Sequence, residues 1–391
     1  MNYRSDKYGN PLSIIGFGCM RFPKKMGATD VEETEHEIML AIENGVNYFD
    51  TAYIYPKSEA VLGEIIEKNG VREKVNIATK LPHYLIKKRE DFDRIFNEEL
   101  KRLRTDHVDY YLMHMLTDID TWNRLLSLGA EEWLAEKQAS GAIRQVGFSY
   151  HGNPDMFCRL VDARNWDFCM IQYNYMDEYT QAGRRGLEYA NKKGLPVMIM
   201  EPLRGGKLAS PPEKAKHIME RYKISHTPAQ WSFLWLWSQP EVTVVLSGMN
   251  SEAMVLDNIK TACSAKTGEI GDAEKAMLAE VVKAINSKIK VGCTGCGYCV
   301  PCPKNVDIPG TFAAYNRASS EGKIPGLIDY FMCTALRPTP TSASQCVGCG
   351  RCEKRCPQKI EIRKHLKEAE KMLEGPLYKI GRKAAKLFVK M

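Results

Sequence analysis

Short apolar runs alternate with longer amphipathic segments through about the first 265 residues of the chain. The runs are rich in β-branched and aromatic residues and have the length of buried strands. They predict eight strands, in the ranges Leu12–Gly18, Asn47–Asp50, Val75–Lys80, Val108–His114, Ile143–Phe148, Phe168–Gln172, Pro196–Met200 and Val242–Leu246.

The segments between these runs carry apolar residues three or four positions apart, which predicts helices. The predicted helices are Val31–Asn44, Glu59–Lys68, Asp91–Leu103, Trp122–Gln138, Pro154–Asp162, Ala182–Lys193, Pro212–Tyr222 with Ala229–Trp237, and Ser251–Ala262. Eight strand–helix units in this order predict an α/β fold, the (β/α)8 TIM barrel, over residues 1–285. Because reactive groups in such barrels lie at the carboxyl ends of the strands, polar residues there are the candidates for chemistry.

Three successive predicted strands end in or near groups that could cooperate in proton transfer. Asp50 closes the second strand and Tyr55 follows it, Lys80 closes the third strand, and His114 closes the fourth. A buried carboxylate needs a nearby cation, and a phenol with a pKa near 10 is a poor proton donor without one. Each group also has an ordinary structural interpretation, as a helix cap, a packing wedge, a solvated strand end or a core imidazole. Their order along the chain favours a catalytic tetrad.

Cysteine is concentrated in the last quarter of the chain. Nine of the 13 cysteines lie between residues 293 and 356, and eight of the nine form two motifs, C-x2-C-x2-C-x2-C-P and C-x2-C-x2-C-x3-C-P. The second form is the bacterial ferredoxin run, in which the cysteine before proline binds the other of two clusters. The spacing predicts two [4Fe-4S] clusters, with a zinc ribbon as the alternative. The predicted ligands are Cys293, Cys296, Cys299 and Cys356 for one cluster and Cys346, Cys349, Cys352 and Cys302 for the other.

The segments around these motifs predict helices. Gly271–Lys288 predicts a single helix that leads out of the barrel, and Asp307–Gly310 begins a helix between the motifs. We expect a small α-helical ferredoxin-like iron-sulfur domain over residues 286–370. Residues 371–391 predict a basic, weakly amphipathic helix that caps one of the domains or, alternatively, docks on a membrane surface. Cys333 lies outside both motifs and is expected to be a buried thiol.

Composition restricts the partners and the location of the protein. The apolar fraction of 44% is enough for a full core, and no stretch approaches the roughly 18 apolar residues of a membrane helix. The net charge of +7 is a mild excess, expected to be spread along the chain, and not the dense patch of a nucleic-acid binder. The N-terminal residues are polar and lack a signal-peptide core. We expect a cytoplasmic protein with no nucleic-acid partner, and membrane association is disfavoured.

The candidate tetrad stands within a longer series of motifs. These are Gly16–Arg21 (G-F-G-C-M-R), Asp50–Tyr55 (D-T-A-x-x-Y) followed by Ser58-Glu59 and Leu62-Gly63, Gly147-Phe148-Ser149, and Gln172-Tyr173-Asn174. The series resembles the aldo-keto reductases, and the whole chain resembles the subset of that family with a ferredoxin-like tail. The resemblance implies reduction of an aldehyde or ketone by hydride from a nicotinamide cofactor. It further implies that Tyr55 donates the proton with its pKa lowered by Lys80. Asp50 would fix the lysine, and His114 would orient the carbonyl.

The same resemblance implies that a dinucleotide, NADPH or NADH, lies across the barrel mouth. Ser149 and Gln172 would hold the carboxamide of its ring. The other implied cofactor residues are Gly18, Cys19, Met20, Met200, Pro202, Leu203, Gly248 and Asn258. Many members carry cations for the 2′-phosphate of NADP at two positions after the last strand, where this chain has Gly248 and Met254. We therefore expect weak discrimination between NADPH and NADH.

Two further features concern the cofactor. No G-x-G-x-x-G follows the first predicted strand, which disfavours a Rossmann mode of dinucleotide binding. Arg204–Lys207, with the sequence R-G-G-K, is a basic loop after the seventh strand. It is either a cover for the pyrophosphate or a plain surface turn.

Three functions remain open at this point. The chain could be a carbonyl reductase with a structural cluster tail, or an enzyme that links nicotinamide to a one-electron partner such as ferredoxin or flavodoxin. It could also be a cofactor-sensing subunit with little turnover, against which the intact tetrad argues. The substrate is expected to be a small carbonyl compound, but the specificity loops of such barrels vary too freely to indicate which one.

Overall fold

A computed structural model describes residues 1–222, 225–287, 289–293, 295, 297, 299–335, 341–356 and 359–389. The chain forms two compact units. The first contains residues 1–211 and 216–278, and the second contains residues 212–215 and 279–391. The division near residue 278 falls within the helix Asp272–Asn286, which the sequence predicts as the way out of the barrel.

Eight parallel strands close the first unit into a barrel. They are β1 (Ile15–Gly18), β2 (Tyr48–Asp50), β3 (Asn76–Pro82), β4 (Val108–Leu116), β5 (Ile143–Tyr150), β6 (Phe168–Gln172), β7 (Val197–Met200) and β8 (Val242–Ser247). Each strand pairs with its neighbour in sequence, and β8 returns to β1 through Val245 opposite Ile15. All residues of β6 and β8 are buried, as expected of parallel strands covered on both faces. The predicted TIM barrel is confirmed.

Aromatic side chains fill the interior of the barrel. The rings of Tyr48 and Tyr110 lie 5.1 Å apart, and Phe168 packs edge-on against Tyr110 at the same distance. The Tyr110 hydroxyl donates to the buried carboxylate of Asp6 at 2.8 Å. The barrel core is therefore anchored to the N-terminal segment by a hydrogen bond as well as by packing.

The first predicted strand is shorter than expected. Residues Pro11–Ser13 leave the barrel and pair antiparallel with Tyr3–Ser5, so only Ile15–Gly18 belongs to the closed sheet. Leu12 of this hairpin packs into the barrel core. The apolar pattern is continuous across both pieces because both bury side chains, and periodicity alone therefore does not separate them.

Eleven helices follow or connect these strands in the described part of the chain. They are α1 (Val31–Glu43), α2 (Ser58–Asn69), α3 (Glu90–Leu103), α4 (Ile119–Ser127), α5 (Ala130–Ala139), α6 (Pro154–Asp162), α7 (Gly183–Lys192), α8 (Glu213–Glu220), α9 (Pro228–Trp237), α10 (Glu252–Ser264) and α11 (Asp272–Asn286). The single helix predicted over Trp122–Gln138 is two helices, because Gly129 takes a left-handed conformation at φ 83° between α4 and α5. Thr227 and Gln230 form a reciprocal capping box at the start of α9.

The second unit is helical. It contains α12 (Ile308–Glu321), α13 (Lys323–Thr334), α14 (Arg351–Arg355), α15 (Ile362–Leu373) and α16 (Pro376–Val389). The sequence did not predict α13, whose backbone approaches α12 closely: a Cβ on Gly326 would lie 2.4 Å from the Cβ of Ala318. The ring of Tyr378 in α16 packs at a tilt against the ring of Tyr330, with the centres 5.0 Å apart, so the basic C-terminal helix packs on the core of this unit. Across the described residues, no helix combines the length and the apolar character needed to cross a bilayer.

Candidate active site

The carboxyl ends of three barrel strands bring four polar side chains together. Asp50 is the last residue of β2, and Lys80 and His114 lie two residues before the ends of β3 and β4. Tyr55 stands in the loop between β2 and α2. The four residues of the predicted tetrad therefore converge at the edge of the barrel where reactive groups of this fold are found.

Lys80 and Asp50 form a buried ion pair. The Lys80 Nζ lies 2.6 Å from the Asp50 Oδ2 and donates a second bond, also 2.6 Å, to the Thr51 carbonyl oxygen. Burial alone would lower the pKa of Lys80, but the Asp50 carboxylate and the Tyr55 hydroxyl raise it above its usual value. Burial raises the pKa of Asp50, and the ammonium opposes that shift. The lysine is thereby held protonated inside the barrel.

Tyr55 lies directly beside this ammonium. The Lys80 Nζ is 5.0 Å from the centre of the Tyr55 ring, and the ring meets His114 edge-on with the two centres 6.2 Å apart. Burial raises the pKa of Tyr55 above its usual value, and the charge of Lys80 acts in the opposite direction. The lowered pKa implied by the family resemblance is thus not the net effect here. The phenol remains protonated at neutral pH, which is the state a proton donor requires.

His114, like Tyr55, is uncharged at neutral pH. Burial, followed by the charges of Lys80, His151 and His83, lowers the pKa of His114 to about 2. Its Nδ1 atom is buried and has no hydrogen-bond partner among the described residues. A neutral imidazole can donate or accept a hydrogen bond without adding a second charge beside Lys80.

The end of β5 is held against a strained turn of β4. The backbone N–H of Met115 donates to the Ser149 Oγ at 2.8 Å. Met115 itself adopts a left-handed conformation at φ 58°, where the pairing of β4 with β5 shifts register. Strain in a non-glycine residue next to His114 indicates that the surrounding structure fixes this edge of the mouth.

Asp177 organises the opposite side of the mouth. Its Oδ2 accepts hydrogen bonds from the Gln172 Nε2 at 2.7 Å and the Asn174 Nδ2 at 3.1 Å, and the Arg204 Nε lies 3.1 Å from the same oxygen. The Asn174 amide also donates to the Glu201 carbonyl oxygen at 3.1 Å. One carboxylate therefore fixes the end of β6 to the basic loop after β7.

Arg21 connects the loops after β1, β7 and β8. Its Nη1 donates to the Gly205 carbonyl oxygen at 3.0 Å. A Cβ on Gly248 would lie 3.7 Å from the Arg21 Cβ and 3.8 Å from its Cδ. An exposed guanidinium thus lies next to Gly248, one of the two positions at which the family resemblance implies a cation.

The remaining predicted cofactor residues differ in what they offer a ligand. Cys19 is fully buried, and its backbone N–H donates to the Asp50 carbonyl oxygen at 2.8 Å, so its side chain supports the turn from within. The Asn258 Nδ2 donates to the Ser247 Oγ at 3.1 Å and braces the end of β8. The others lie at or just after the ends of β1, β7 and β8 and are Gly18, Met20, Met200, Pro202, Leu203 and Gly248.

The cysteine motifs enclose a cavity in the second unit. The cavity has a volume of about 300 Å³, and its lining includes all four cysteines predicted for one cluster, Cys302, Cys346, Cys349 and Cys352. Cations also line it, at Lys304, Arg351, Arg355 and Arg363. They complement the negative charge of a cluster held by thiolates. The lining fits a thiolate-bound [4Fe-4S] cluster.

The first predicted ligand set, Cys293, Cys296, Cys299 and Cys356, is described only in part. Cys293, Cys299 and Cys356 are half-buried and pack against the helical core of the unit, and Cys299 also lines the cavity described above. Cys296 lies outside the described residues. Cys333 is half-buried as well, and its Sγ lies 3.4 Å from the Tyr330 carbonyl oxygen.

The last cysteine of each motif accepts a similar backbone hydrogen bond. The Cys302 carbonyl oxygen accepts from the Asn305 N–H at 2.9 Å, and the Cys356 carbonyl oxygen accepts from the Lys359 N–H at 3.1 Å. Asn305 and Lys359 are both left-handed, at φ 55° and 51°. A helix follows in each case, α12 or α15. The shorter spacing before Cys302 therefore does not change this hydrogen bond.

Comparison with known proteins identifies the barrel. Residues 14–281, more than half of the chain, match the Aldo/keto reductase family. The chain belongs to the aldo/keto reductase family. Residues 292–361 of this aldo/keto reductase match the family described as 4Fe-4S dicluster domain, which confirms the iron-sulfur tail.

Relatives and solved structures agree with the fold. The chain is 25% identical over 295 residues to an uncharacterised oxidoreductase, YrpG, of Bacillus subtilis, covering 64% of this chain and 88% of that protein. It is 25% identical over 243 residues to the NAD/NADP-dependent indole-3-acetaldehyde reductase of Schizosaccharomyces pombe, covering 60% and 80%. The holo form of aldo-keto reductase AKR11C1 from Bacillus halodurans superposes with a TM-score of 0.60 at 21% identity, covering 73% and 97%. An aldo-keto reductase from Klebsiella pneumoniae in complex with NADPH gives 0.58 at 21% identity, covering 72% and 96%. This aldo/keto reductase is an oxidoreductase, as predicted.

Sequence reasoning missed Asp177 and the position of Arg21. No local motif marks Asp177, because its partners come from the loops after two different strands. Arg21 directly follows the glycine-bearing turn after β1. A basic residue at that place could have indicated a contact with a cofactor phosphate. The similarity of the segments Cys302–Ile308 and Cys356–Ile362, C-P-K-N-V-D-I and C-P-Q-K-I-E-I, was also visible in the sequence.

Proposed function

We propose that this enzyme reduces an aldehyde or ketone at the barrel mouth, with Tyr55, Lys80, Asp50 and His114 as its catalytic residues. The observation that carries the proposal is the protonated phenol of Tyr55 beside a lysine that Asp50 keeps charged. NADPH or NADH, when bound, supplies the hydride. The protein itself binds and orients the carbonyl compound and donates the proton.

Tyr55 donates the proton to the oxygen of the carbonyl compound as its negative charge develops. Burial keeps the phenol protonated until that moment, and the Lys80 ammonium then stabilises the phenolate that remains. His114 donates a hydrogen bond to the same oxygen and orients it toward Tyr55. Because its pKa is about 2, the imidazole stays neutral and does not compete with the phenol as an acid.

The mouth offers suitable polar groups to a nicotinamide. The Gln172 amide nitrogen is committed to Asp177, so its carbonyl oxygen is the group that can accept from a carboxamide. Ser149 is buried at the end of β5, where its Oγ is positioned by the Met115 N–H. The S. pombe relative is named as NAD/NADP-dependent and the Klebsiella protein binds NADPH, which supports both cofactors as candidates.

Arg21 is the cation proposed to contact a phosphate that NADH and NADPH share. We expect Arg21→Gln to weaken the binding of both by a similar factor of roughly 10, the order of one charge-assisted hydrogen bond. Their dissociation constants should stay within about 10-fold of each other, because Gly248 and Met254 leave the 2′-phosphate without the usual cations. Fluorescence titration of each cofactor measures both quantities.

The control for this comparison is Lys25→Gln, on the exposed strand Lys24–Lys25, which should change neither affinity. A selective loss of NADPH binding by more than about 100-fold would instead identify Arg21 as the partner of the 2′-phosphate. Such a result would contradict the expected weak discrimination.

The tail is proposed to hold two [4Fe-4S] clusters, with Cys293, Cys296, Cys299 and Cys356 as one ligand set and Cys302, Cys346, Cys349 and Cys352 as the other. One observation favours exchange of single electrons with a ferredoxin or flavodoxin as a second function. Cys349 is exposed and Val347 is 62% exposed, so the second site reaches the surface of its unit. A cytoplasmic location suits such clusters, because the cytosol keeps thiols reduced.

A panel of aldehydes and ketones, screened with NADPH and NADH under anaerobic conditions, tests the proposed reaction. Oxidation of the cofactor with formation of the matching alcohol is the expected result. Bleaching of the cluster absorbance by NADPH or NADH without any carbonyl compound would favour the electron-transfer function. No turnover with any member of a chemically broad panel would argue for the cofactor-sensing alternative.

A further inference from the structure

Positive charge is concentrated in the second unit. Residues 279–391 contain 20 Lys and Arg against nine Asp and Glu, whereas residues 1–278 contain 35 against 39. The net excess of the chain is therefore not spread along it, contrary to expectation. It belongs to the iron-sulfur unit, while the barrel sequence is weakly acidic. A charge difference of this kind governs association with charged partners and not the fold.

A cleft lined by α15 and α16 gathers five of these cations, and we name it the cationic groove. Its volume is about 850 Å³. Its cations are Lys367, Lys371, Lys379, Arg382 and Lys383. On each helix two of the lysines are four residues apart and so share one face. The groove thus presents a compact field of positive charge.

Among the described residues, none of the four lysines of the groove forms an ion pair with a carboxylate. The groove also contains two acids, Glu370 and Glu374, and the Glu374 carboxylate accepts hydrogen bonds from within the same unit. The Glu374 Oε1 accepts from the Tyr330 hydroxyl at 2.5 Å and from the Ser344 N–H at 3.0 Å. On α15 and at its C-terminal cap, Glu370 and Glu374 lie three residues from Lys367 and Lys371 and offset the repulsion between these lysines. The sequence of α16 has no acid, so the repulsion between Lys379 and Lys383 is not offset within that helix, and this face is suited to an anionic partner.

The groove adjoins the second cluster site. Ser344 lines the groove and lies two residues before Cys346, one of the cysteines that line the cluster cavity. The bond from Ser344 to Glu374 ties this segment to the wall of the groove. The cavity wall carries four further cations, so positive charge surrounds both sites.

We propose that the cationic groove docks an acidic protein that carries a single-electron group. In each encounter one electron would pass from the reduced carrier to an oxidised [4Fe-4S] cluster held by Cys302, Cys346, Cys349 and Cys352. Two encounters would thus transfer as many electrons as one hydride carries. The inference rests on the clusters of the proposed function and not on its carbonyl chemistry. The proposal places the one-electron partner at the cationic groove and requires the docking surface of that partner to be negatively charged.

The shape and composition of the groove favour a protein over other polyanions. Its cations lie in a cleft between two helices, which a flat bilayer does not enter, whereas a protruding acidic segment does. Nucleic-acid sites of comparable charge add exposed aromatic rings for stacking. The aromatic residue of the groove is Tyr378, which is 2% exposed and packed on Tyr330.

The test uses the full-length, anaerobically purified holoprotein and a strongly acidic flavodoxin as probe. The dissociation constant is measured at ionic strengths of about 0.01 and about 0.15 M, where the Debye length is roughly 30 and 8 Å. We expect wild-type binding that weakens with salt. The triple variant Lys367→Glu, Lys371→Glu, Lys379→Glu should bind at least about tenfold more weakly at the lower ionic strength.

The matched control changes the net charge equally at three exposed lysines of the barrel, Lys101, Lys192 and Lys260. Its affinity for flavodoxin should fall by less than about threefold. Equal losses in the two triple variants, no binding by the wild type, or binding to phosphatidylserine vesicles in place of flavodoxin would each overturn the proposal. Unchanged iron content in both variants excludes cluster loss as the cause.

Tyr55→Phe should bind flavodoxin like the wild type, so failure of the carbonyl chemistry and failure of the docking site give different results.

Discussion

Replacing Tyr55 by Phe is expected to lower kcat/KM for carbonyl reduction by at least about 100-fold, the low end of general-acid contributions. The substitution removes the phenolic proton and keeps the ring that packs against His114 and lies beside Lys80. Affinity for NADPH and NADH should remain nearly intact, because the hydroxyl is assigned to the carbonyl oxygen. Steady-state kinetics and cofactor titration on the same preparation measure the two effects separately.

Tyr53→Phe is the matched control. Tyr53 lies in the same loop, but its ring faces the Arg102 guanidinium at 4.3 Å, a contact that does not need the hydroxyl. Its kinetics should resemble those of the wild type. Retained turnover in Tyr55→Phe would show that another group donates the proton and would remove the tetrad assignment.

Tyr55 is a sharper test of the chemistry than Lys80. Removing the lysine leaves the Asp50 carboxylate buried without its cation, a change that costs about 3–5 kcal/mol in other buried pairs. A lower activity in such a variant would therefore have two causes, the missing catalytic group and the lower stability of the fold. The Tyr55 hydroxyl can be removed without stranding a buried charge.

Anaerobically purified protein is expected to hold about eight iron and about eight labile sulfide per chain, the sum over two [4Fe-4S] clusters. Cys302→Ser and Cys349→Ser should each lower both counts toward four. The reason is that both cysteines line the same cavity and would serve the same cluster. Iron and sulfide analysis after identical anaerobic reconstitution makes the comparison.

Cys333→Ser is the control for this series, because Cys333 lies outside both motifs and outside the lining of the cavity. It should retain about eight iron per chain, as the wild type does. An iron count near four in the wild type that Cys302→Ser leaves unchanged would contradict the assignment. It would mean a single cluster and a first motif whose last cysteine is not a ligand.

The barrel could be predicted from sequence because its signals are local. Buried parallel strands produce apolar runs, and the helices between them produce a period of three to four residues. The helix predictions are wrong where a single glycine changes the path of the backbone. Gly129 divides one predicted helix into α4 and α5. Gly326 lets α13, a helix that the apolar pattern did not predict, approach α12 closely.

The convergence of Asp50, Tyr55, Lys80 and His114 could be predicted for a related reason. Each member lies at or near a strand end, and the barrel brings successive strand ends together without further information. The network around Asp177 and the position of Arg21 depend instead on contacts between loops after different strands, which no local pattern encodes. The direction of the Tyr55 pKa was not accessible either, since it depends on how far burial outweighs the charge of Lys80.

Isotope transfer tests most directly whether the barrel reduces a carbonyl compound by hydride transfer. The protein is incubated anaerobically with NADPH or NADH deuterated at C4 of the nicotinamide ring and with an aldehyde from the panel, and the alcohol is analysed by mass spectrometry. Direct hydride transfer predicts one deuterium on the carbinol carbon of the alcohol, and proton donation by Tyr55 predicts at least about 100-fold slower formation of that alcohol by Tyr55→Phe. Alcohol formed without deuterium from either face of the labelled cofactor would contradict it, because the electrons would then have reached the carbonyl compound by a route other than direct hydride transfer.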